Sequence, residues 1–292
     1  MKKDKLYILG AGTPTPTASR FGSAYVLDID GEKIMFDCGP AATHKLVKSG
    51  LWPTEIDYLF FTHHHFDHDI DYPCFLLCRW DQSIGKENLL NVFGPNLTEK
   101  ITNEVVGEDG AFSHDWKARV YHPVSQKVYV NRGGTLPRKP PKVNANDIVP
   151  GTVKISKKWE VVADVAEHVQ PYLDSLAYRL ETNKNKSIVF TGDTQPCKSV
   201  INLAQNADIL VCMCWDDQET MNENGEFFGQ CGTLGAAQMA EDANVKTLVL
   251  VHMGPNISLE QNKISARKEI GKIFSGNIIF SEEIQSIDIW NK

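Results

Sequence analysis

The stretch Thr62-His63-His64-His65-Phe66-Asp67-His68 sets His63, His65, Asp67 and His68 within six positions, directly behind the apolar run Tyr58-Leu59-Phe60-Phe61. A strand ending at Thr62 aims His63 and His65 to one side, because alternate residues share a face, and leaves Asp67 and His68 on the turn that follows. Two pairs of donors then stand within reach of two neighbouring ions. Neutral imidazole and carboxylate are usual ligands of zinc, at a Zn–N distance of about 2.0–2.1 Å, and a catalytic ion keeps one position open for water. The fold must therefore bring at least one further His or Asp to this strand end. A His-rich exposed turn or a tag also gathers histidines, but it explains neither the Asp nor the fourth His at these offsets.

With 292 residues the chain is long enough for one large domain or two small ones, and at that size folding buries about three quarters of the unfolded surface. Hydrophobic residues at 42% and charged residues at 23% are ordinary for a soluble globular protein. No apolar run approaches the roughly 18 residues that a membrane span needs. The start, Met1-Lys2-Lys3-Asp4-Lys5, is basic, but Leu6-Tyr7-Ile8-Leu9 before Gly10 is too short for a signal-peptide core. The expected location is cytoplasmic, without membrane attachment. Seven scattered cysteines suit a reducing compartment, and Cys74 and Cys78, one helical turn apart, read as small buried thiols on a helix face. A net charge of −7 offers no general attraction for phosphate backbones, which weighs against nucleic acid as a partner.

Short apolar runs rich in Val, Ile and Phe alternate with helical segments, the pattern of layered α/β structure. Strands are expected at 6–9, 24–29, 33–36, 57–61, 89–93, 159–166, 175–181, 187–191, 208–213, 247–252 and 277–280. Thr233 is placed to cap a helix through Ala236, Ala237, Met239 and Ala240, and Ser258 with Gln261 forms a capping box for another. Between residues 107 and 151 the rhythm breaks, around Arg132-Gly133-Gly134-Thr135-Leu136-Pro137-Arg138-Lys139-Pro140-Pro141. The expectation is one domain over 1–292 carrying a long irregular insertion, a lid or an oligomer contact. Arg132, Arg138, Lys139 and Lys142 could meet an anionic substrate there.

Further ligands come from other strand ends. Ser187-Ile188-Val189-Phe190-Thr191 runs into Gly192-Asp193, where glycine permits a close backbone approach, and Asp193 could bridge two ions. Thr247-Leu248-Val249-Leu250-Val251 ends in His252, and His168 follows the strand at 159–166 in the same way.

This order, with Phe36-Asp37-Cys38-Gly39 ahead of it, resembles the five ordered motifs of the metallo-β-lactamase fold hydrolases across almost the whole chain. The opening Leu9-Gly10-Ala11-Gly12-Thr13-Pro14-Thr15-Pro16, with Arg20 and Ser23 before a strand, is similar to the ribonuclease Z branch, which includes arylsulfatases and small-molecule hydrolases. Gly94-Pro95 and the segment 236–245 fit that branch too. The resemblance implies a four-layer αβ/βα sandwich, a homodimer and two ions, zinc by expectation, with manganese or iron suited to the same ligands. It assigns His63, His65 and His168 to one ion, Asp67, His68 and His252 to the other, and Asp193 to both. Asp37 would support the ligand loop through hydrogen bonds. His64, off-register, should point away, and His44, His114 and His122 match no motif.

Two such ions share a water whose pKa falls from 15.7 towards about 7 while one polarises the scissile group, so hydrolysis is the expected reaction, with Asp67 able to accept the nucleophile's proton. The branch's His-Glu-Ala-Thr segment aligns with Cys212-Met213-Cys214-Trp215, and its His-Ser-Thr-like segment with Cys231-Gly232-Thr233. The proton donors to the leaving group are therefore missing. A positioned acid contributes roughly 10²–10⁴-fold, so its loss points to a leaving group that needs less help, although Asp216, Asp217 or Glu219 could replace it. The family's tRNA-gripping arm lies between the third-motif His and the bridging Asp, where His168 to Asp193 contains only strand-like sequence.

The leading expectation is a dinuclear zinc hydrolase using a metal-bridging hydroxide on a small aromatic or cyclic substrate: an ester, lactone, aryl sulfate or activated aryl halide. The insertion is similar to that of the branch containing the chlorothalonil hydrolytic dehalogenase. Met213, Trp215, Cys231 and Arg132 are the expected substrate contacts. The alternatives are a phosphodiesterase or ribonuclease Z-like RNA 3′-processing endonuclease, and a non-catalytic metal-binding module.

Overall fold

A computed structural model describes residues 4–85 and 88–290. Its first sheet takes β1 (Lys5–Ala11), β2 (Ser23–Ile29), β3 (Glu32–Phe36), β4 (Ile56–Phe60), β5 (Leu90–Gly94) and β6 (Val143–Asp147) side by side in chain order. Pairing is antiparallel from β1 to β3 and parallel from β3 to β6. The second sheet takes β7 (Gly151–Ile155), β8 (Trp159–Val165), β9 (Leu176–Thr182), β10 (Ser187–Phe190), β11 (Ile209–Met213), β12 (Thr247–Val251) and β13 (Asn277–Phe280). It is antiparallel as far as β10 and parallel beyond. The last strand, β14 (Gln285–Asp288), returns to pair with β1.

β2 buries every residue of Ser-Ala-Tyr-Val-Leu-Asp-Ile, as a strand covered on both faces must. Between the sheets Phe36, Phe60 and Phe93 meet Tyr178 and Phe190, the Phe36 and Phe190 rings stacking at 4.1 Å. Over the outer face of the first sheet lie α1 (Ala42–Lys48), the single turn α2 (Phe66–Asp69), α3 (Tyr72–Gln82) and α4 (Thr98–Val106), burying Leu46, Phe75 and Val106.

Two further helices, α5 (Ser113–Tyr121) and α6 (Pro123–Asn131), follow in the insertion. Over the second sheet lie α7 (Lys198–Leu203), α8 (Gln218–Asn224), α9 (Thr233–Asp242) and α10 (Glu260–Ile270), whose Val200, Ala236, Ala240 and Ile270 join the third apolar cluster. Helix, sheet, sheet and helix make the expected four-layer sandwich. No helix among the described residues is long and apolar enough to cross a membrane.

Three local expectations are corrected. The stretch 107–151 is largely regular, because Trp116, Val120 and Tyr129 find burial at helical spacing and β6 extends the sheet. Its longest stretch without helix or strand is the glycine- and proline-rich segment 132–142. Neither expected cap forms: the N-cap of α9 is Gly232 and that of α10 is Leu259. Ser258 instead donates its hydroxyl to the Gly254 carbonyl at 2.7 Å, a local bond that competes with capping. Cys74 is exposed and Cys78 half-buried, since α3 turns Phe75 and Leu76 to the sheet.

β8 and β10 both run antiparallel to β9 and so run together, and β12 shares their direction. Their carboxyl ends meet those of β3 and β4 along one edge of the sandwich, where the Leu176 amide crosses between sheets to the Thr62 carbonyl at 2.9 Å.

Candidate metal centre

Five strand ends supply this edge. β3 delivers Asp37, β4 delivers Thr62 and His63, β8 leads to His168, β10 to Asp193 and β12 to His252. His65 precedes α2, which carries Asp67 and His68. The chain turns sharply to do this: Asp37, Gly192 and His252 take φ of 57°, 58° and 51°. Gly192 has no substitute, for a Cβ there would stand 2.7 Å from Thr62 Cβ. Asp37 and His252 hold left-handed backbone that costs of order 1–3 kcal/mol each and persists only when the surroundings enforce it.

His63, His65, His168 and Asp193 form one group of donor atoms and Asp67, His68 and His252 another, each within a 4.8 Å span. His63 Nε2 and His168 Nε2 stand 3.1 and 3.2 Å from His65 Nδ1, and 4.0 and 3.9 Å from Asp193 Oδ2. Across the centre, His252 Nε2 lies 3.1 Å from Asp67 Oδ2 and 3.2 Å from Asp193 Oδ2. His68 Nε2 lies 3.5 Å from Asp67 Oδ2 and 3.4 Å from Asp193 Oδ1. Asp193 faces both groups. Donors on one tetrahedral zinc, bonded at about 2.0–2.1 Å, stand roughly 3.3 Å apart, and these spacings suit such an ion.

Three of the far nitrogens are tied down. His68 Nδ1 donates to Asp37 Oδ2 at 2.8 Å and His168 Nδ1 to the Gly229 carbonyl at 2.6 Å. His63 Nδ1 donates to Thr62 Oγ1 at 3.0 Å, and that hydroxyl donates to Asp37 Oδ2 at 2.9 Å. With those protons outside, each Nε2 turns a lone pair inwards.

His68 Nε2 and Asp193 Oδ1 are buried without a hydrogen-bond partner, so positive charge must lie between them, as a proton or a metal cation. Burial disfavours charge on His68, yet Asp193, Asp37 and Asp67 raise its pKa well above the ordinary value. Burial and then His68 push His63 well down, and burial with His168 lowers His65, which keeps both neutral, the form that binds metal. Against burial, His252 and His68 hold Asp193 well below the usual carboxylate range. Imidazole nitrogens and carboxylate oxygens converging in this way fit a pair of divalent ions.

Asp37 also accepts from the Thr62 amide at 2.7 Å. Thr62 is a residue that sequence reasoning misses; its place between strand and histidines was the available signal. Gln195 is another, its Oε1 accepting at 2.9 Å from the amide of Gly229, whose carbonyl holds His168. His64 turns aside to Asp69 at 3.2 Å and Thr98 at 2.9 Å.

Of the four expected substrate contacts, Trp215 borders the centre, its ring stacked 5.9 Å from that of His252 and its Nε1 donating to Glu226 at 3.0 Å. Met213 lies buried beneath, its Sδ accepting from the Thr194 amide, and Cys231 is wholly inside the core with Cys212 and Cys214. Both belong to the apolar cluster under the helices of the second sheet, and Met213 also lines the small cavity shared with His68, Asp193 and His252. Arg132 sits elsewhere, 3.0 Å from Asp81 near the far end of α3, on a carboxylate that Arg119 and Arg138 also reach. Among the acids that could replace a lost proton donor, Asp217 caps α8 by accepting from the Thr220 amide. Asp216 is biased towards its protonated form, chiefly by burial.

Residues 113–253 match the family described as Beta-lactamase superfamily domain, and residues 4–70 that described as Anti-Pycsar protein Apyc1. Ribonuclease Z of Listeria monocytogenes is 29% identical over 290 residues, covering 89% of this chain and 91% of that protein. Ribonuclease BN of Proteus mirabilis is 27% identical over 281 residues, covering 87% and 90%. The metallo-beta-lactamase fold protein YhfI of Bacillus subtilis superposes with a TM-score of 0.71 at 19% identity, over 98% of this chain and 99% of that one.

The ribonuclease names correct one expectation, that nucleic acid is no partner. Net charge averages the whole surface, whereas a phosphate responds to the charge of the cleft it enters, so −7 excludes nothing of that kind. The sandwich is the metallo-β-lactamase fold, residues 113–253 match the beta-lactamase superfamily domain, and ribonucleases Z and BN align over nearly nine-tenths of the chain, which together support a metal-dependent hydrolase similar to the ribonuclease Z branch.

Proposed function

We propose that this protein is a phosphodiesterase, hydrolysing a nucleotide phosphodiester in RNA or in a small nucleotide at two divalent ions. The observation that carries the reading is the convergence of four histidines, His63, His68, His168 and His252, on the two oxygens of one carboxylate, Asp193, with His65 and Asp67 beside them. His63, His65 and His168 would hold one ion, Asp67, His68 and His252 the other, with Asp193 shared. Imidazole and carboxylate suit zinc, and manganese or iron by the same chemistry.

Ions bound there supply a Lewis acid for the phosphoryl oxygens and acidify water towards a pKa of about 7. The chain's own residues do the rest. Asp37 and Thr62 fix ring orientation. Asp67, whose carboxylate faces His252 and His68, takes the proton of the attacking water. Ribonuclease relatives support phosphodiester chemistry. Between His168 and Asp193 the chain has β9, β10 and short connections, so a nucleic-acid substrate is engaged without the family's gripping arm.

The test is a substrate panel run on purified holoprotein with elemental analysis. Cleavage of precursor tRNA or bis(p-nitrophenyl) phosphate, with about two ions per chain, is expected; turnover confined to aryl esters or lactones overturns the reading. Asp193→Ala should lose metal and activity together, and keeping both would sink the ligand assignment.

A further inference from the structure

The loops around His168 carry aromatic rings that the core does not use. Tyr172 is 92% exposed and Phe228 77% exposed. Both belong to segments fastened to this one histidine. Gly229, next after Phe228, gives its carbonyl to His168 Nδ1 at 2.6 Å and its amide to Gln195 at 2.9 Å. It approaches so closely that a Cβ there would meet the His168 carbonyl oxygen at 2.2 Å, and its φ is +71°.

On the other segment, the His168 amide donates to Gln170 Oε1 at 2.8 Å and the Tyr172 amide to the Val169 carbonyl at 3.1 Å. The Phe228 ring has Phe227 beside it, centroids 4.6 Å apart. Glu226 accepts from the Trp215 indole, so a single loop runs from the ring stacked on His252 to the carbonyl that orients His168. Large rings left in water are informative where they cluster beside a reactive centre, because each offers a flat apolar face with little rotamer entropy to lose.

We infer that Tyr172 and Phe228 receive the nucleobase of the substrate, stacking on it while the adjoining phosphodiester reaches the metal centre. The inference rests on the phosphodiesterase reading and deepens it, by saying where the nucleoside sits and what recognises it. Every base has a π face, so stacking accepts a nucleoside without choosing a sequence. It needs no broad basic groove, in keeping with a net charge of −7.

Two esters separate base recognition from chemistry: the p-nitrophenyl ester of thymidine 5′-monophosphate and methyl p-nitrophenyl phosphate have the same leaving group and differ in the nucleoside. The holoenzyme is expected to show the lower KM for the thymidine ester. Phe228→Ala and Tyr172→Ala should each raise that KM about tenfold with kcat little changed, and the double variant should erase the preference. Phe228→Trp and Tyr172→Phe should retain it. So should Tyr121→Ala, which removes a ring 64% exposed on α5. A preference that survives the double variant overturns the inference, as does an equal KM for both esters in the unmodified enzyme. Failure to turn over either ester overturns the phosphodiesterase reading instead.

Discussion

Thr62 carries no charge, yet the centre is organised around it: its amide and hydroxyl serve Asp37, its hydroxyl serves His63, and its carbonyl accepts from Leu176. Thr62→Val keeps the volume while leaving His63 Nδ1 and Asp37 Oδ2 short of a partner. Metal affinity should fall about 10–100-fold, read by competition with a chromogenic chelator; an unchanged affinity would show that the hydroxyl is dispensable. The candidate ligands were legible because they follow apolar runs or crowd into one hexapeptide. Thr62 and Gly229 were not, because their partners Asp37 and His168 lie 25 and 61 positions away. Arg132 misled for the same reason: its partner Asp81 is 51 positions distant, and a basic run read alone suggests an anionic ligand.

Among the elements, strands buried on both faces announced themselves, whereas β6, β7 and β14 did not. Their sequences Val-Asn-Ala-Asn-Asp, Gly-Thr-Val-Lys-Ile and Gln-Ser-Ile-Asp have few or no fully buried residues, and all three sit at the outer edges of their sheets, where one side needs no cover. Polar residues also join strands. Asp208, at the entrance to β11, accepts from the Ser187 amide at 3.0 Å and from Lys246 Nζ at 2.6 Å. Burial raises its pKa, but Lys246, Ser187 and Lys186 outweigh that and hold it below the usual carboxylate range. A depressed folded pKa gives stability that is present above the unfolded value of about 3.9 and is lost as pH falls through the folded value. Asp208→Asn should cost about 1 kcal/mol at pH 7. Thermal midpoints of the two proteins should converge below about pH 4; a gap that ignores pH would mean that the charge does not matter.

For the whole molecule, the centre gathers side chains from both sheets, so ions bound there tie the halves of the chain together. Occupancy at about a hundred times Kd adds about 2.7 kcal/mol to stability, and for a chain of this size chelation should lower Tm by roughly 4–5 °C. Scanning calorimetry with and without chelator checks this, alongside far-UV circular dichroism that should stay the same; an unmoved Tm would argue against ions shared between the sheets. The pairing of β14 with β1 acts on another timescale. β1 leaves the ribosome before its outer neighbour, so until β14 is made its amides and carbonyls on that side face solvent or another chain. β12 and its His252 also emerge in the second half. The nascent protein therefore spends its synthesis with an adhesive edge and an incomplete centre, and in a crowded cell its yield is governed by whatever shields β1 until the last strand arrives.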